Sequence, residues 1–420
     1  MDYYLCLPIC LISILVCLNY KKGYILKKHY PLFITSLIFL FASCQSTKAV
    51  SDLEKQQSNA PSIDNTITLL FAGDVMAHNV NYNMKDYDII WDGVRDTVQE
   101  CDLAFANIEA PIDTTKPASN YPYFNMPKAY VQATIDAGFN VFSLCNNHTN
   151  DQELSGIKET IKTVNALKTS EKEKGNEIYF AGVKEHSADS FTFQLIEKNG
   201  WKILFLPMTE ILNRPLANQY INYINSSSKK RQEFADFCKK LRDENPCDLF
   251  ILSWHANEPE YTRVVTESQE AFYQSLLEAG VDIIWANHAH IIKDRKITIN
   301  EETGSTKIIM YANGNTISGQ RTKPDFKSEN PIGERDNTGD GLFYKVTFGK
   351  KKKTDQITFV KSENIFITTY ITPERNYIIH KMDDNFINYL DDNGFSNWAR
   401  YIEKRITINN TYTKEIIEWQ

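Results

Sequence analysis

The sequence predicts an α/β fold whose strands are covered by helices on both faces. Five apolar runs have the length of buried strands, and continuous apolar runs of this kind are typical of strands covered on both sides. Two of these runs follow predicted helices at 127–138 and 268–280, whose last residues, Gly138 and Gly280, suit the position just after a helix. Each run also ends on polar side chains, and these endings indicate the function.

The composition is that of an ordinary globular protein. The 420 residues are 42% hydrophobic and 24% charged, and the formal net charge is −7. A protein without a basic surface is poorly suited to bind a polyanion, so we expect no nucleic-acid partner. The cysteines after the N-terminal region lack the CxxC spacing of a metal or redox motif and predict no disulfide framework; they are Cys101, Cys145, Cys238 and Cys247.

The N-terminal region has the pattern of an export signal. Two apolar stretches, 5–18 and 31–42, are separated by basic residues, and small residues directly precede Cys44. The second stretch is too short for a comfortable transmembrane helix and is typical of a signal peptide. Small residues followed by cysteine resemble the lipobox of bacterial lipoproteins, so residues 1–43 are predicted to be a leader with a lipoprotein-type signal peptide. The alternative is a membrane anchor in which Cys44 is incidental.

Both interpretations place the protein in the cell envelope, exported and attached to the membrane. Under the first, Cys44 is lipidated and the lipid chain is the membrane contact. Residues 44–65 are polar and predict a tether that holds the folded part away from the membrane.

The endings of the five predicted strands predict a metal site. In chain order the strands and their endings are 67–72 before Gly73 and Asp74, 102–106 before Asn107 and Glu109, 140–145 before Asn146, Asn147 and His148, 248–254 before His255, and 281–286 before Asn287, His288, Ala289 and His290. Ligands of open α/β sheets collect beyond the carboxyl ends of the strands. Oxygen and imidazole donors without thiolate suit Mn, Fe or Zn. His288 and His290 would point to the same side of an extended backbone.

We call the edge formed by these five strand endings the rim. Further elements are predicted outside the five strands. Residues 191–208 predict a hairpin around the Asn199-Gly200 turn, and residues 307–315 predict another strand. The region 340–420 is predicted to pack on the sandwich as an extension, with strands followed by a helical tail at 383–408. Its predicted strands are 342–348, 356–360, 365–371 and 376–380.

The motifs of the rim occur in a fixed order along the chain. They are GDVM at 73–76, NIE at 107–109, NNHTND at 146–151, HANE at 255–258, NHAH at 287–290 and YANGN at 311–315. As an ordered set they resemble the CapA family of bacterial capsule synthesis proteins, which is linked to poly-γ-glutamate and is similar to calcineurin-like metallophosphoesterases. The resemblance covers about residues 66–320. It implies a metallophosphoesterase-like αββα sandwich there and a role in surface-polymer synthesis.

The resemblance also implies a role for individual residues at the rim. The implied metal ligands are Asp74 and His290 on a first metal, Glu109 between the two metals, and Asn147, His255 and His288 on the second. His148 would be the acid that protonates a leaving group, and Asp151 would orient it. The implied cofactors are one or two divalent ions.

Two residues depart from the pattern of the metallophosphoesterases. Those proteins have Asp-x-His in the first motif, whereas Met76 occupies the histidine position here. A thioether is a poor ligand for a hard ion, which predicts a first metal site that is weak or empty. His78 is near enough in sequence to substitute, although a loop residue is the simpler interpretation. Asn287 stands where those proteins usually have glycine, which predicts an altered turn.

Three functions fit these observations. The first is an exported, lipid-anchored protein of surface-polymer synthesis, of the capsule or poly-γ-glutamate type, that works with the polymer or its synthesis machinery. The second is a metal-dependent hydrolase acting on a phosphoester or amide of the envelope. The third is a surface binding module that keeps the pocket without turnover. The nearly complete ligand set favours the second, and Met76 favours the third.

Overall fold

Two mixed β-sheets lie at the centre of the structure, a computed structural model that describes residues 63–300, 302–352 and 354–420. Fifteen strands lie within these residues. They are β1 Ile63–Val75, β2 Leu103–Ile108, β3 Val141–Ser143, β4 Tyr179–Ala181, β5 Gln194–Lys198, β6 Trp201–Thr209, β7 Leu249–His255, β8 Ile283–Asn287, β9 Arg295–Ile299, β10 Thr306–Met310, β11 Asn315–Ile317, β12 Asp340–Lys351, β13 Ile357–Ile371, β14 Tyr377–Lys381 and β15 Glu415–Trp419.

The first sheet has the order β14-β13-β12-β1-β2-β3-β4, with β11 paired to the end of β1, and the second has the order β15-β9-β10-β8-β7-β6-β5. Within each sheet, the strands that bear the predicted ligands run parallel to one another: β1 with β2 and β2 with β3 in one sheet, β7 with β8 in the other. Their carboxyl ends therefore meet at one edge of each sheet, as the sequence predicts.

Helices cover the outer face of each sheet. Within the described residues the helices are α1 Asn79–Tyr82, α2 Arg95–Gln99, α3 Lys128–Asp136, α4 Glu153–Glu173, α5 Ser228–Glu244, α6 Glu267–Glu278, α7 Glu334–Asn337, α8 Asp384–Asp392 and α9 Ser396–Tyr412. Helices α3, α4, α8 and α9 contribute to the hydrophobic cluster outside the first sheet, and α5 and α6 to the cluster outside the second.

A third hydrophobic cluster lies between the two sheets. Alternate residues of β1 divide between the clusters: Leu69 and Phe71 point into the central cluster, whereas Leu70 and Ala72 belong to the outer one. This alternation follows from the two-residue period of a strand. It explains why the strands are continuously apolar, since both faces are buried. The predicted αββα sandwich with C-terminal strands and helices is confirmed.

The predicted local elements are found with small shifts. Gly138 and Gly280 follow α3 and α6 with φ of +115° and +103°, a region that glycine enters without strain. Asn199 and Gly200 have φ of +51° and +78° between the antiparallel strands β5 and β6, as a type I′ turn requires. The first strand begins at Ile63, so it includes the last residues of the segment 44–65 that we predicted as a tether.

The C-terminal region differs from the prediction in three respects. The segments 356–360 and 365–371 form one long strand, β13, rather than two. The helical tail is two helices, α8 and α9, separated near Gly394, which has φ of +81°. A final strand, β15, was not predicted; it pairs in parallel with β9 at the edge of the second sheet.

A buried ionic network holds this region against the sandwich. Asp340 at the start of β12 accepts hydrogen bonds from Arg321 at 3.0 Å and from Arg405 of α9 at 2.6 Å. All three side chains are almost fully buried. Because losing one partner of such a network leaves a buried charge uncompensated, the network fixes α9 relative to the loop at 321–340.

The export signal predicted for residues 1–43 and the lipidation predicted at Cys44 lie outside the described residues. Within 63–300, 302–352 and 354–420, the structure has no helix whose length and apolar character would allow it to cross a bilayer.

Candidate metal centre

Six residues at the carboxyl ends of the strands come together in one buried cluster. Asp74 is the penultimate residue of β1, Glu109 follows β2, Asn147 follows β3, and His255 is the last residue of β7. His288 and His290 lie in the turn after β8 and complete the six predicted ligands. Each of the six side chains is at most 3% exposed.

The donor atoms of these residues form two groups that share Glu109. Glu109, His255 and His288 form one group, and Asp74, Glu109 and His290 form the other; within each, the donor atoms lie within 4.8 Å of one another. Asn147 joins the first group, since its Oδ1 is 2.9 Å from Nε2 of His255. Donors about 2.0–2.2 Å from one ion are separated by up to roughly twice that distance, so the spacing suits one metal in each group.

Glu109 is the most unusual residue of the cluster. It is fully buried, and among the residues that the structure describes none forms a hydrogen bond with either carboxylate oxygen. His255 Nε2 and His290 Nε2 each lie 3.8 Å from its Oε1. Burial and the neighbouring Asp74 raise the pKa of Glu109 well above its usual range. A buried carboxylate without partners is costly, and a divalent cation on each side would compensate it.

The two histidines of the Glu109–His255–His288 group are in the state that a metal requires. Burial, together with the repulsion that a protonated ring would meet from protonated neighbouring histidines, lowers the pKa of His255 well below its usual value. The same causes lower the pKa of His288 to about 4. Both imidazoles are therefore neutral at pH 7, and their ring nitrogens, His288 Nδ1 and His255 Nε2, are 3.1 Å apart. Neutral imidazole is the form that binds metals.

His290 has a different environment. Burial would lower its pKa, but the hydrogen bond and charge of Asp74 raise the pKa overall. Its Nδ1 lies 3.1 Å from Asp74 Oδ2 and 3.0 Å from Oδ1 of Asn315. Asp74 also accepts a hydrogen bond from Asn107 at 2.8 Å through its other oxygen. These contacts fix the orientations of Asp74 and His290.

The backbone at the two adjacent histidines differs from our expectation. An extended segment would point His288 and His290 to the same side, but their φ angles are +108° and +57°. Positive φ is uncommon for residues with a Cβ and is concentrated at functional sites. The turn sends His288 to one donor group and His290 to the other, with ring centroids 6.0 Å apart. The expectation of an extended backbone was wrong because it rested on spacing alone.

His148 and Asp151 form a close pair beside the cluster. His148 Nδ1 lies 2.7 Å from Asp151 Oδ2, which also accepts the Phe124 backbone N–H at 2.8 Å. The Nδ2 atom of Asn213 is within 3.4 Å of both ring nitrogens of His148. Proton donation to Asp151 would leave Nε2 of His148 available for proton transfer. The distance between the two side chains is compatible with the roles that the resemblance implies, an acid at His148 and an orienting carboxylate at Asp151.

The first motif places its residues in different environments. Gly73 lies so close to the chain at Gly314 that a Cβ would be 1.8 Å from the Gly314 carbonyl oxygen, which explains the glycine before Asp74. Met76 is buried in the hydrophobic cluster outside the first sheet. His78 belongs to neither donor group, and its Nδ1 accepts the Gly319 backbone N–H at 3.1 Å.

Three asparagines support the cluster without having been predicted as site residues. Asn107 and Asn315 contact Asp74 and His290, as described above. Asn146 donates to the Ile108 carbonyl at 2.8 Å, next to Glu109 in the chain. All three lie in the motifs NIE, YANGN and NNHTND, so the motifs contained the signal. Asparagine is also a common turn residue, and its type alone does not separate these two roles.

Comparison with solved structures finds low-identity similarities. A hypothetical protein from Thermus thermophilus aligns with a TM-score of 0.41 and 17% identity, covering 71% of this chain and 98% of that chain. The calcineurin-like phosphoesterase YfkN from Bacillus subtilis aligns with a TM-score of 0.38 and 9% identity, covering 81% of this chain and 99% of that chain.

Comparison with curated proteins finds two capsule proteins. The capsule biosynthesis protein CapA of Bacillus anthracis is 24% identical over 319 residues, which cover 71% of this chain and 72% of that protein. The PGA biosynthesis protein CapA of Bacillus subtilis is 23% identical over 292 residues, covering 67% and 70%. The family model of the bacterial capsule synthesis protein PGA_cap matches residues 68–320, more than half of the chain. The chain therefore belongs to the PGA_cap family of bacterial capsule synthesis proteins.

Proposed function

We propose that this member of the family is a metal-dependent hydrolase of surface-polymer synthesis, acting on a phosphoester or an amide. One observation supports this most strongly: two donor groups share Glu109, a buried carboxylate without a hydrogen-bond partner among the described residues. A site built only to bind a neutral polar ligand would have no reason to bury a carboxylate in that way. The donor set of carboxylate and amide oxygens with imidazole nitrogens suits Mn, Fe or Zn.

The residues that would hold two ions are the six of the cluster. Asp74 and His290 would hold one, Asn147, His255 and His288 the other, and Glu109 would contact both. When bound, such ions polarise a phosphoryl or carbonyl oxygen and make water a stronger nucleophile at neutral pH. The protein supplies the burial, which excludes bulk water, and two hydrogen bonds that orient the ligands: Asn107 donates one to Asp74, and Oδ1 of Asn315 accepts one from His290.

His148 is the residue that we assign to proton transfer. Asp151 accepts the hydrogen bond of Nδ1–H and would stabilise the protonated ring, so Nε2–H of that imidazolium would give a proton to the leaving group. Asn213 contacts the His148 ring through its Nδ2, and its Oδ1 accepts a hydrogen bond from Nδ2 of Asn147 at 3.4 Å. Asn213 thus connects the acid with a metal ligand and limits the motion of both.

Metal-dependent turnover by the full-length protein tests this proposal. After treatment with a chelator and addition of Mn²⁺, we expect hydrolysis of at least one of p-nitrophenyl phosphate, bis-p-nitrophenyl phosphate and γ-glutamyl-p-nitroanilide. His148→Asn should lower kcat for γ-glutamyl-p-nitroanilide, whose departing amine must take up a proton, by about 10²–10⁴-fold while metal binding is kept. His186→Ala changes an exposed histidine outside the site and is the matched control.

A second candidate is the binding module without turnover. Met76, which takes the place of a histidine ligand in related phosphoesterases, is the observation that favours it. Metal bound in stoichiometric amount, together with no hydrolysis of any of the three substrates, would support this candidate and contradict the hydrolase.

We also propose that the protein is exported and anchored to the membrane by a lipid on Cys44. The support is the basic flank, the short apolar stretch and the small residues before this cysteine. Cells grown with a fatty-acid probe should label the wild-type protein and leave Cys44→Ser unlabelled and released from the membrane. A labelled, membrane-bound Cys44→Ser would contradict the anchor, whereas Cys17→Ser serves as the control.

A further inference from the structure

We propose that His78 and Arg335 form a pair of donors at the rim of the metal centre that binds an oxyanion of the substrate, a carboxylate or a phosphate, separate from the group that is hydrolysed. The inference rests on the proposed hydrolytic function and adds the class of substrate. Neither residue is among the predicted ligands, and neither belongs to the two donor groups.

The hydrogen bonding of His78 makes it a donor rather than a metal ligand. Its Nδ1 accepts the Gly319 backbone N–H at 3.1 Å, so in the neutral ring the proton lies on Nε2. Burial, with the nearby His290, His148 and Arg335, lowers the pKa of His78 to about 3, so the ring is neutral at pH 7. Among the described residues none accepts a hydrogen bond from Nε2.

His78 lies close to the site on the side of the acid. The ring of Phe124 contacts both histidines, with its centroid 5.0 Å from that of His78 and 4.7 Å from that of His148. His78 can lie against the chain at residue 319 only because that residue is glycine, since a Cβ there would lie 2.6 Å from Cβ of His78. The His78 ring is therefore held one aromatic ring away from the proposed proton donor.

Arg335 reaches the same rim from α7. Its guanidinium lies 5.2 Å from the ring of Tyr261, and the Tyr261 ring lies 6.2 Å from that of His290. In the part of the chain that the structure describes, its side chain has no carboxylate within 4 Å, and its one hydrogen bond, to the Tyr261 hydroxyl, is long at 3.5 Å. Most of the donors of this exposed guanidinium are therefore available to an anion.

The segment that carries Arg335 is held in place by the C-terminal helix. Asp336 accepts a hydrogen bond from the Tyr401 hydroxyl at 2.6 Å, and Asn337 accepts one from Arg405 at 2.9 Å. Both partners lie on α9 and are buried. The backbone beside Arg335 is consequently fixed before any ligand binds, which reduces the entropic cost of binding. This gives the C-terminal extension a role at the site.

The negative charge of one acidic residue at the rim, Glu260, would repel a bound anion. Glu260 is exposed next to Tyr261 in the chain, and its charge acts on Glu109, His288 and His290. Removing this charge should strengthen anion binding, while removing either donor should weaken it. The Glu260 variant and the donor variants should therefore change the affinity for the anion in opposite directions.

The test is the binding of inorganic phosphate and of glutarate to the full-length protein in Mn²⁺-containing buffer, measured by calorimetry. We expect Arg335→Met and His78→Asn each to weaken binding of at least one of these anions by about tenfold, and Glu260→Gln to strengthen it. The amide oxygen that His78→Asn introduces can still accept the Gly319 N–H, so this substitution removes mainly the Nε2–H donor. Arg400→Met removes an equal charge from an exposed position on α9 and should leave the affinity unchanged.

The anion whose dissociation constant changes in these variants shows whether the bound oxyanion is a phosphate or a carboxylate. Unchanged affinity for both anions in Arg335→Met and His78→Asn, with melting temperatures like that of the wild type, would overturn the inference. Metal content is measured on the same samples. Bound metal with unchanged anion affinity contradicts this inference alone, whereas Arg335-dependent anion binding without bound metal contradicts the hydrolase and leaves the anion site standing.

Discussion

Glu109 shows how a single residue can be costly for the folded protein and still be explained by its chemistry. Its carboxylate is fully buried beside the carboxylate of Asp74, and no described residue donates a hydrogen bond to it in its ionised form. Such a group destabilises the metal-free protein, because ionisation in a buried position is unfavourable. Two cations would reverse the sign of this contribution.

Glu109→Gln should therefore affect stability in opposite directions with and without metal. The pKa of Glu109 is higher in the folded, metal-free protein than in the unfolded chain. The metal-free protein therefore loses stability as the pH rises above about 4.5, the value of an unperturbed glutamate. At pH 8 without metal, we expect the variant to be more stable by about 1–3 kcal/mol. Mn²⁺ at about 100 times its dissociation constant should stabilise the wild type by about 2.7 kcal/mol and the variant by much less.

Chemical denaturation in chelator and in Mn²⁺ measures both effects. Glu278→Gln, at an exposed position of α6, is the control for the loss of one carboxylate. Equal stabilisation of wild type and Glu109→Gln by Mn²⁺ would show that Glu109 is not a ligand.

His380 predicts a pH dependence that is independent of the metal centre. Its ring stacks on that of Phe386, with centroids 3.8 Å apart, and burial lowers its pKa to about 4. Between pH 6.5 and about 4 the unfolded chain binds this proton and the folded protein does not. The wild type should therefore lose stability as pH falls through this window, at up to about 1.4 kcal/mol per pH unit.

His380→Gln should remove this part of the pH dependence. Urea unfolding of both proteins at pH 7.5, 6, 5 and 4.5 gives the difference in unfolding free energy at each pH. We expect that difference to move in favour of the variant as pH falls. A difference that stays constant from pH 7.5 to 4.5 would contradict the assignment.

At the scale of elements, β1 connects the metal centre with the C-terminal region. Residues 63–71 of β1 pair with β12, and the end of β1, which bears Asp74, pairs with β2 and β11. Removing the C-terminal region would expose one edge of β1, because β12 pairs along residues 63–71 of that strand. This change acts on the strand that presents Asp74, a proposed metal ligand.

We therefore expect a chain that ends at Gln320 to be insoluble, or to be cleaved by proteases along its whole length. A chain that ends at Lys414 removes only β15, an edge strand with exposed side chains, and should remain folded. Limited proteolysis of the two truncated chains measures this difference. If the chain ending at Gln320 resists proteases like the full-length protein, the C-terminal region is not an integral part of the sandwich.

The elements that the sequence predicts best are those whose signal is local. Continuous apolar runs identify the five ligand-bearing strands, and Gly138 and Gly280 mark the ends of two helices. The strand β15 was missed because its residues are largely exposed and its pairing with β9 is a long-range contact. Its pattern alone does not distinguish a strand from a tail.

For the site, the motifs indicate the residue types but not the backbone. The ordered motifs identified all six residues that the structure brings together, since their types carry the chemistry. The positive φ angles of His288 and His290 were not predictable, because such strain is maintained by tertiary contacts rather than by local preference. The donor role of His78 likewise depends on Gly319, which is 241 residues away in sequence.

At the scale of the whole molecule, the two sheets place the metal centre where their strand ends meet. The first sheet supplies Asp74, Glu109 and Asn147, and the second supplies His255 with the turn bearing His288 and His290. Neither sheet alone carries a complete donor group, because each group combines Glu109 of the first sheet with histidines of the second. Packing of the sheets and assembly of the site are thus one event, and unfolding of either sheet should release the metal.

The position of the metal ions is the most direct test of this account. Crystals of the detergent-solubilised full-length protein grown with Mn²⁺ can be measured on both sides of the manganese absorption edge. We predict two anomalous peaks on either side of Glu109, one beside Asp74 and His290 and the other beside His255 and His288. The absence of any peak within ligand distance of Glu109, in crystals that contain Mn²⁺, would contradict the metal centre and the hydrolytic function proposed from it.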